Sequence, residues 1–161
     1  MITLRPVTEE NYGAVLKLTA SEDLVAPNYM SLAQAYNSLR EAVDEDKLEY
    51  ALMPFAILHE ETVVGFTMIG FEDGEDVNAG GDIFWMSRFM IDDIHQRKGY
   101  GKAAMLKLID FIKTKPNGCD AKYFFTSVVP GYVGSVKTYE SVGFTKTGEM
   151  FHDEELMRLE L

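Results

Sequence analysis

The sequence predicts a mixed α/β (α+β) fold, with residues 1–161 forming one domain around one sheet. Stretches with strand-like and helix-like apolar patterns follow one another in the order β-α-α-β-β-β-α-β-α-β-β. Two pairs of strands are separated only by tight turns, which predicts antiparallel hairpins, and residues 82–128 predict one β-α-β crossover. We therefore expect a mixed, mostly antiparallel sheet.

The N-terminal part predicts one strand followed by two helices. "ITLRPV" alternates as a half-buried strand does, and "EENYGAVLKLT" places Val15, Leu16 and Leu18 at helical spacing. Ser31 is a suitable N-cap for a second helix over "LAQAYNSLREAV".

The central part predicts a hairpin and a buried strand. "YALMPFAILHE" and "TVVGFTMIGFE" flank a short polar corner, and "DIFWMSRFMID" is nearly continuous in apolar residues, as central strands are. A helix over "GKAAMLKLIDFIKT" follows, with one apolar face formed by Ala104, Leu108, Phe111 and Ile112.

The C-terminal part completes the pattern. "AKYFFTSVV" predicts a strand and "GSVKTYESVGF" a short helix ended by Gly143. "FTKTGEMF" and "EELMRLEL" predict a closing hairpin.

Composition limits the partners. The formal net charge of −11 argues against nucleic acid, whose affinity for proteins depends on Lys and Arg. It suits a cationic substrate, although a requirement for solubility explains it equally well. Cys119 is the single cysteine, and the three histidines lack ligand spacing, so we expect neither a disulfide nor a metal site. Met1 leads directly into a strand and no apolar run would span a membrane, so we expect a cytoplasmic protein with no membrane partner.

A basic, glycine-containing loop, "HQRKGYGKAA" (residues 95–104), stands out in this acidic chain. It joins the buried strand to a helix, whose first turn has unpaired N–H groups and the positive end of the helix dipole. Gly99 and Gly101 would let an anion approach the backbone, which predicts a phosphate or pyrophosphate site. The alternative is an ordinary glycine turn with solvated charges.

Two familiar phosphate motifs fit this loop poorly. A P-loop requires Gly-Lys-Ser/Thr, but Ala103 follows Gly101 and Lys102. A dinucleotide fingerprint would place its glycines directly after the strand, whereas residues 92–98 intervene here.

"QRKGYG" instead matches the Gln/Arg-x-x-Gly-x-Gly/Ala signature of the GNAT superfamily of N-acetyltransferases, which the chain resembles along most of its length. "FMI" (residues 89–91) ends the preceding strand, and "YESVGF" (residues 139–144) is similar to a late segment of that family. "VAPNYMSLAQAY", "VVGFTMIGFEDGED", "FWMSRFMID" and "GFTKTGEMFHDEELM" resemble the bacterial spermine/spermidine (diamine) N-acetyltransferases.

The resemblance implies a GNAT-like fold with helices on both faces of the sheet, and acetyl-CoA as cosubstrate without a metal. It implies acetyl transfer to a small-molecule primary amine, with a polyamine such as spermidine or spermine as acceptor, and a homodimer. It assigns cofactor binding to Phe89, Met90, Ile91, Gln96, Arg97, Lys98, Gly99, Tyr100, Gly101, Lys102 and Tyr132.

Tyr139 lies where the family places the tyrosine that protonates the CoA thiolate, and a phenol stays protonated near neutral pH. The alternative is a tyrosine buried for packing. The backbone N–H of Met90 is our candidate for the contact to the thioester oxygen. Two positions depart from the family pattern: Tyr132 replaces a common asparagine, and Ser87 replaces a carboxylate, so no residue is a convincing general base.

Polyamine binding requires several carboxylates. The candidate substrate-binding residues are Glu22, Asp23, Glu72, Asp82 and Ser87. The alternatives are solvated acidic loops, a different acceptor such as an aminoglycoside, a protein lysine or a protein N-terminus, and a non-catalytic CoA-binding regulatory module.

Overall fold

The computed structural model describes residues 1–19 and 52–161, and the helix predicted over residues 32–43 lies outside them. The strands are β1 (Ile2–Pro6), β2 (Met53–His59), β3 (Thr62–Glu72), β4 (Ile83–Ile91), β5 (Tyr123–Val128), β6 (Thr145–Phe151) and β7 (Glu154–Glu160). The helices are α1 (Glu9–Val15), α2 (Tyr100–Lys113) and α3 (Val133–Glu140). Each of these elements was predicted from the sequence.

The seven strands form one sheet in the order β1-β2-β3-β4-β5-β7-β6. All neighbouring strands are antiparallel except β4 and β5, which run parallel. The predicted mixed, mostly antiparallel sheet and the crossover through α2 are therefore confirmed.

Helices cover both faces of the sheet, as expected. Alternate residues of β2 point to opposite faces, which divides the core in two. Ala56 and Leu58 pack with Val15 of α1, whereas Phe55 packs in a cluster that contains Leu108 of α2. β3 is buried along most of its length because both of its faces are covered.

The apolar face of α2 is broader than predicted. Ala104, Leu108 and Ile112 are buried, and Met105 and Ile109 join them. Phe111 is only half-buried and packs edge-on against Phe55, with the ring centroids 5.1 Å apart. Within the described ranges, no helix is long and apolar enough to span a membrane.

The site depends on a local irregularity in β4. Met68 pairs with Arg88 and Ile69 with Met86, which leaves Ser87 as an extra residue in a bulge. Pairing between β4 and β5 ends where Met86 meets Thr126, although both strands continue. The two strands therefore separate beyond this pair, and we call the space between them the β4–β5 gap.

Candidate active site

A cleft of about 490 Å³ opens beside the C-terminal half of β4. The end of β4, the basic loop with the first turn of α2, and α3 form its walls. The lining residues are Phe89, Met90, Ile91, His95, Gln96, Arg97, Gly99, Tyr100, Gly101, Lys102, Tyr132, Gly134, Ser135, Lys137, Thr138, Tyr139 and Ser141.

The basic loop directs the start of α2 into this cleft. Gly99 precedes the helix with φ 79°, a left-handed conformation that favours glycine. The first N–H that bonds back to this cap is that of Ala103, at 3.2 Å from the Gly99 oxygen. The N–H groups of Tyr100, Gly101 and Lys102 consequently have no partner within the helix, and the first turn carries no acidic residue. This arrangement favours an anion.

The side chains of the basic loop differ in their contacts and in whether they line the cleft. Gln96 Nε2 donates to the Ile91 oxygen at 3.0 Å and to Asp93 Oδ1 at 3.1 Å, so it ties the loop to the end of β4. Arg97 has φ 59° and lines the cleft. Lys98 is not among the lining residues, because its Nζ donates to the Ile94 oxygen at 3.1 Å.

Tyr100 anchors the first turn of α2 from the other side. Its ring stacks on that of His59, at the end of β2, with centroids 4.7 Å apart and planes 20° apart. This contact fixes the helix start relative to the sheet.

The orientation of the peptides in β4 revises the assignment of Met90. The Asp92 N–H bonds to the Val64 oxygen of β3 at 2.9 Å, and the Met90 oxygen lies only 2.4 Å from where a Cβ on Gly65 would sit. Residues 90 and 92 therefore direct their backbone groups towards β3. Because backbone groups alternate along a strand, the N–H and C=O groups of Phe89 and Ile91 point away from β3, towards the gap. The N–H groups available to a ligand in the gap are those of Phe89 and Ile91, not that of Met90.

Tyr139 lies at the inner end of the cleft. Its side chain is 7% exposed, and its ring contacts those of Phe89 and Phe144, with centroids 6.3 and 5.8 Å away. Burial raises the pKa of Tyr139, and the negative charge of Glu154 raises it further. The hydroxyl is consequently a proton donor over the whole ordinary pH range.

The face of α3 that borders the cleft was not predicted from the sequence. Small polar residues at spacings of three and four supply it, a pattern that could have revealed a ligand-facing stripe. Thr138 Oγ1 donates to the Gly134 oxygen at 3.0 Å, and Ser141 Oγ to the Thr138 oxygen at 2.7 Å, which leaves both hydroxyl oxygens as acceptors. His95 and Lys137 were also missed.

The predicted substrate residues are spread out. Glu72 pairs with Ile83 in register, and Asp82 directly precedes β4, so both lie at the end of the β3–β4 hairpin away from the cleft. At about 3.3 Å per residue, this end is roughly 20 Å from Phe89. Ser87 lies between, in the bulge, and its hydroxyl donates to the Met68 oxygen at 3.3 Å. Glu22 and Asp23 lie outside the described residues.

Residues 20–144 match the model of the Acetyltransferase (GNAT) family. The chain belongs to the GNAT family. It is an acetyltransferase, which places the basic loop and Tyr139 in an enzyme.

Individual proteins agree with this family. The chain is 28% identical over 162 residues to a spermine/spermidine N(1)-acetyltransferase of Bacillus subtilis, covering 99% of each chain. The fold is similar to that of spermidine N-acetyltransferase from Vibrio cholerae in complex with CoA and spermine, with TM-score 0.70, 15% identity and coverage of 99% and 95%. It is also similar to that of PaiA N-acetyltransferase from Thermoplasma acidophilum in complex with coenzyme A, with TM-score 0.66, 14% identity and coverage of 100% and 99%.

Proposed function

We propose that this GNAT enzyme transfers the acetyl group of acetyl-CoA to a primary amine, and that the acceptor is a polyamine such as spermidine or spermine. The observation that carries the proposal is that one cleft extends from the first turn of α2, whose N–H groups have no partner within the helix, to Tyr139. The full-length similarity to a spermine/spermidine acetyltransferase supports the choice of acceptor.

The cleft suits the shape and charge of acetyl-CoA. Its pyrophosphate fits the N–H groups of Tyr100, Gly101 and Lys102, with the side chains of Arg97 and Lys102 adding positive charge. The edge of β4 at Phe89 and Ile91 offers backbone groups for pantetheine, in the manner of an added strand. Acetyl-CoA supplies the activated acetyl group.

The chain's own groups can assist the transfer. An N–H of Phe89 or Ile91 directed at the thioester oxygen would stabilise the developing oxyanion by about 3 kcal/mol, by analogy with measured oxyanion-hole donors. Tyr139, buried and protonated, would give its proton to the departing sulfur.

The acidic end of the β3–β4 hairpin suits an acceptor with several charges. Partial burial raises the pKa of Glu72, and the neighbouring charges of Asp76 and Asp73 raise it further. A second ammonium group bound there would relieve this repulsion. Because this end lies roughly 20 Å along the strands from Phe89, a monoamine at the cleft would not reach it, whereas spermine, the longest of these acceptors, would extend furthest towards it.

The test is acetyl-CoA turnover, followed as free thiol, with spermine, spermidine, butylamine, an aminoglycoside and a short peptide. We expect spermine and spermidine to have the highest kcat/KM, and their advantage over butylamine to shrink as salt screens the carboxylates. The double variant Glu72→Gln, Asp82→Asn should raise KM for spermine but not for butylamine, whereas Glu149→Gln, on edge strand β6, should change neither. Equal turnover of butylamine and spermine at low salt would remove the polyamine assignment.

A further inference from the structure

Glu154 begins β7 on the face of the sheet opposite α3. It has the same strand parity as Leu156, which is buried with Ile83 and Phe125 in a cluster separate from the one that contains Tyr139. In the β6–β7 hairpin it pairs with Phe151, whose ring lies 4.8 Å from that of Trp85. The carboxylate is therefore half-buried beside an aromatic pair.

A hydrogen bond places this carboxylate at the β4–β5 gap. Ser127 Oγ donates to Glu154 Oε2, and Ser127 is the first residue of β5 beyond its last pair with β4. Among the residues that the structure describes, no lysine or arginine forms an ion pair with Glu154. Its neighbour Glu155 points to the opposite face and binds Lys146 Nζ at 2.9 Å.

Tyr139 packs on the opposite face of the sheet from Glu154. The tyrosine packs in the cluster on the α2 side, yet the charge of Glu154 contributes to its raised pKa, so the two groups are within electrostatic reach. An acyl group in the gap would thus have a proton donor on one side and a carboxylate on the other.

We propose that Glu154 is the general base that receives the acceptor amine at the gap and removes its proton. This inference builds on the acetyl transfer proposed above and supplies the base that the serine at position 87 cannot provide. Its carboxylate takes one proton from the ammonium group and later releases it to solvent. The neutral nitrogen then forms the N–C bond as the C–S bond breaks. Tyr139 protonates the sulfur, and the proton that the nitrogen loses on acylation then restores the tyrosine hydroxyl.

The ionisable groups on the elements around Glu154 are mostly acidic or neutral. Arg88 donates to the Ser87 oxygen at 2.6 Å, and Arg158 lies over the Tyr123 ring at 4.6 Å. The others are Tyr139 on the opposite face of the sheet, His152 and Asp153 in the preceding turn, and Glu75 and Asp76 beside Val77, which packs on the same face as Glu154.

The experiment compares Glu154→Gln with Glu155→Gln, using the amine that the wild type acetylates fastest. At about pH 7.5 we expect Glu154→Gln to lower kcat/KM for the amine by about 10²–10⁴, as loss of a general base does. The wild type reacts with the abundant ammonium form, so its kcat/KM should be nearly flat from about pH 7 up to the amine's pKa. Without the carboxylate only the neutral amine reacts, so the variant should gain about tenfold per pH unit and approach the wild type at high pH. Glu155→Gln should behave as the wild type.

CoA affinity and thermal melting establish that the variants fold. Glu154→Asp withdraws the carboxylate by one methylene group and should lose at least about tenfold in kcat while keeping the flat pH profile. Unchanged kcat in Glu154→Gln or Glu154→Asp, or a rise confined to KM, overturns the assignment. If the wild type acetylates amines without preferring polyamines, the polyamine assignment fails, but the role of Glu154 as base can still be tested with any amine acceptor. A wild type that acetylates no amine refutes both proposals.

Discussion

Asp92 holds Thr19 through two hydrogen bonds to one carboxylate oxygen. Its Oδ1 accepts from the Thr19 N–H at 3.1 Å and from Thr19 Oγ1 at 2.8 Å, while the Asp93 N–H donates to the Thr19 oxygen at 3.1 Å. Asp92 is 9% exposed and follows β4 directly. The chain after α1 is thus held to the segment between β4 and the basic loop, which helps to position that loop.

Replacing Asp92 should weaken this connection. Asp92→Ala leaves the Thr19 donors without their acceptor, and we expect a loss of about 1–3 kcal/mol in the free energy of unfolding. The melting temperature should fall by about 2–4 °C per kcal/mol in a chain of this size. Asp110→Ala, at an exposed position of α2, is the control, and an equal loss in the two variants would contradict the structural role.

Gly101 tests the anion site. A Cβ there would lie 3.6 Å from Thr138, 3.7 Å from Ile91 and 3.8 Å from Phe89, so the fold accepts a small side chain. Gly101→Asp should nevertheless abolish acetyl-CoA binding, because it puts negative charge at the positive end of α2. Gly13→Asp adds the same group to α1, where no atom of the described residues outside the helix itself lies within 4 Å of the new Cβ, and this variant should bind normally. Calorimetry that finds wild-type affinity in folded Gly101→Asp would refute the assignment.

The elements were predictable because each depends on local periodicity. Apolar spacing and turn residues predict the helices and strands of the described residues. The crossover could be predicted because the other connections between strands are too short for one. The basic loop could also be predicted from the sequence, since two glycines among cations mark the start of a helix. The first N–H groups of α2 lack partners within the helix as a consequence of helix geometry alone.

The sequence did not predict those features of the site that depend on contacts between strands or between distant residues. The bulge at Ser87 sets which peptides of β4 face the gap, and no local pattern revealed it, so the sequence did not show that the N–H of Met90 faces β3. Lys98 bonds to a nearby carbonyl that a charge pattern does not specify. Glu154 reaches the gap only because Ser127 and β7 are neighbours in the sheet, a contact across 27 positions.

The raised pKa of Tyr139 predicts a pH dependence of stability. Burial, followed by the charge of Glu154, raises this pKa above its value in the unfolded chain, so the folded protein keeps the proton more tightly. The resulting stabilisation is complete below about pH 10, the ordinary pKa of tyrosine. Above it the unfolded state ionises first, and the contribution falls by up to about 1.4 kcal/mol per pH unit. Urea unfolding should show the advantage of wild type over Tyr139→Phe shrinking above pH 10, and a constant difference would contradict it.

Tyr139→Phe also separates catalysis from packing. The variant keeps the ring that contacts Phe89 and Phe144 but loses the hydroxyl, so CoA affinity should change little. If the hydroxyl protonates the thiolate, kcat should fall by about 10²–10⁴ while KM for acetyl-CoA stays near the wild-type value. Because the pKa of Tyr139 is raised, the wild-type rate should show no alkaline loss from this residue up to about pH 10. Tyr123→Phe, which removes a hydroxyl at the start of β5 and outside the cleft lining, is the matched control and should retain kcat. Full kcat in Tyr139→Phe with a lower melting temperature would make the tyrosine a core residue, and the sulfur would then take its proton from water.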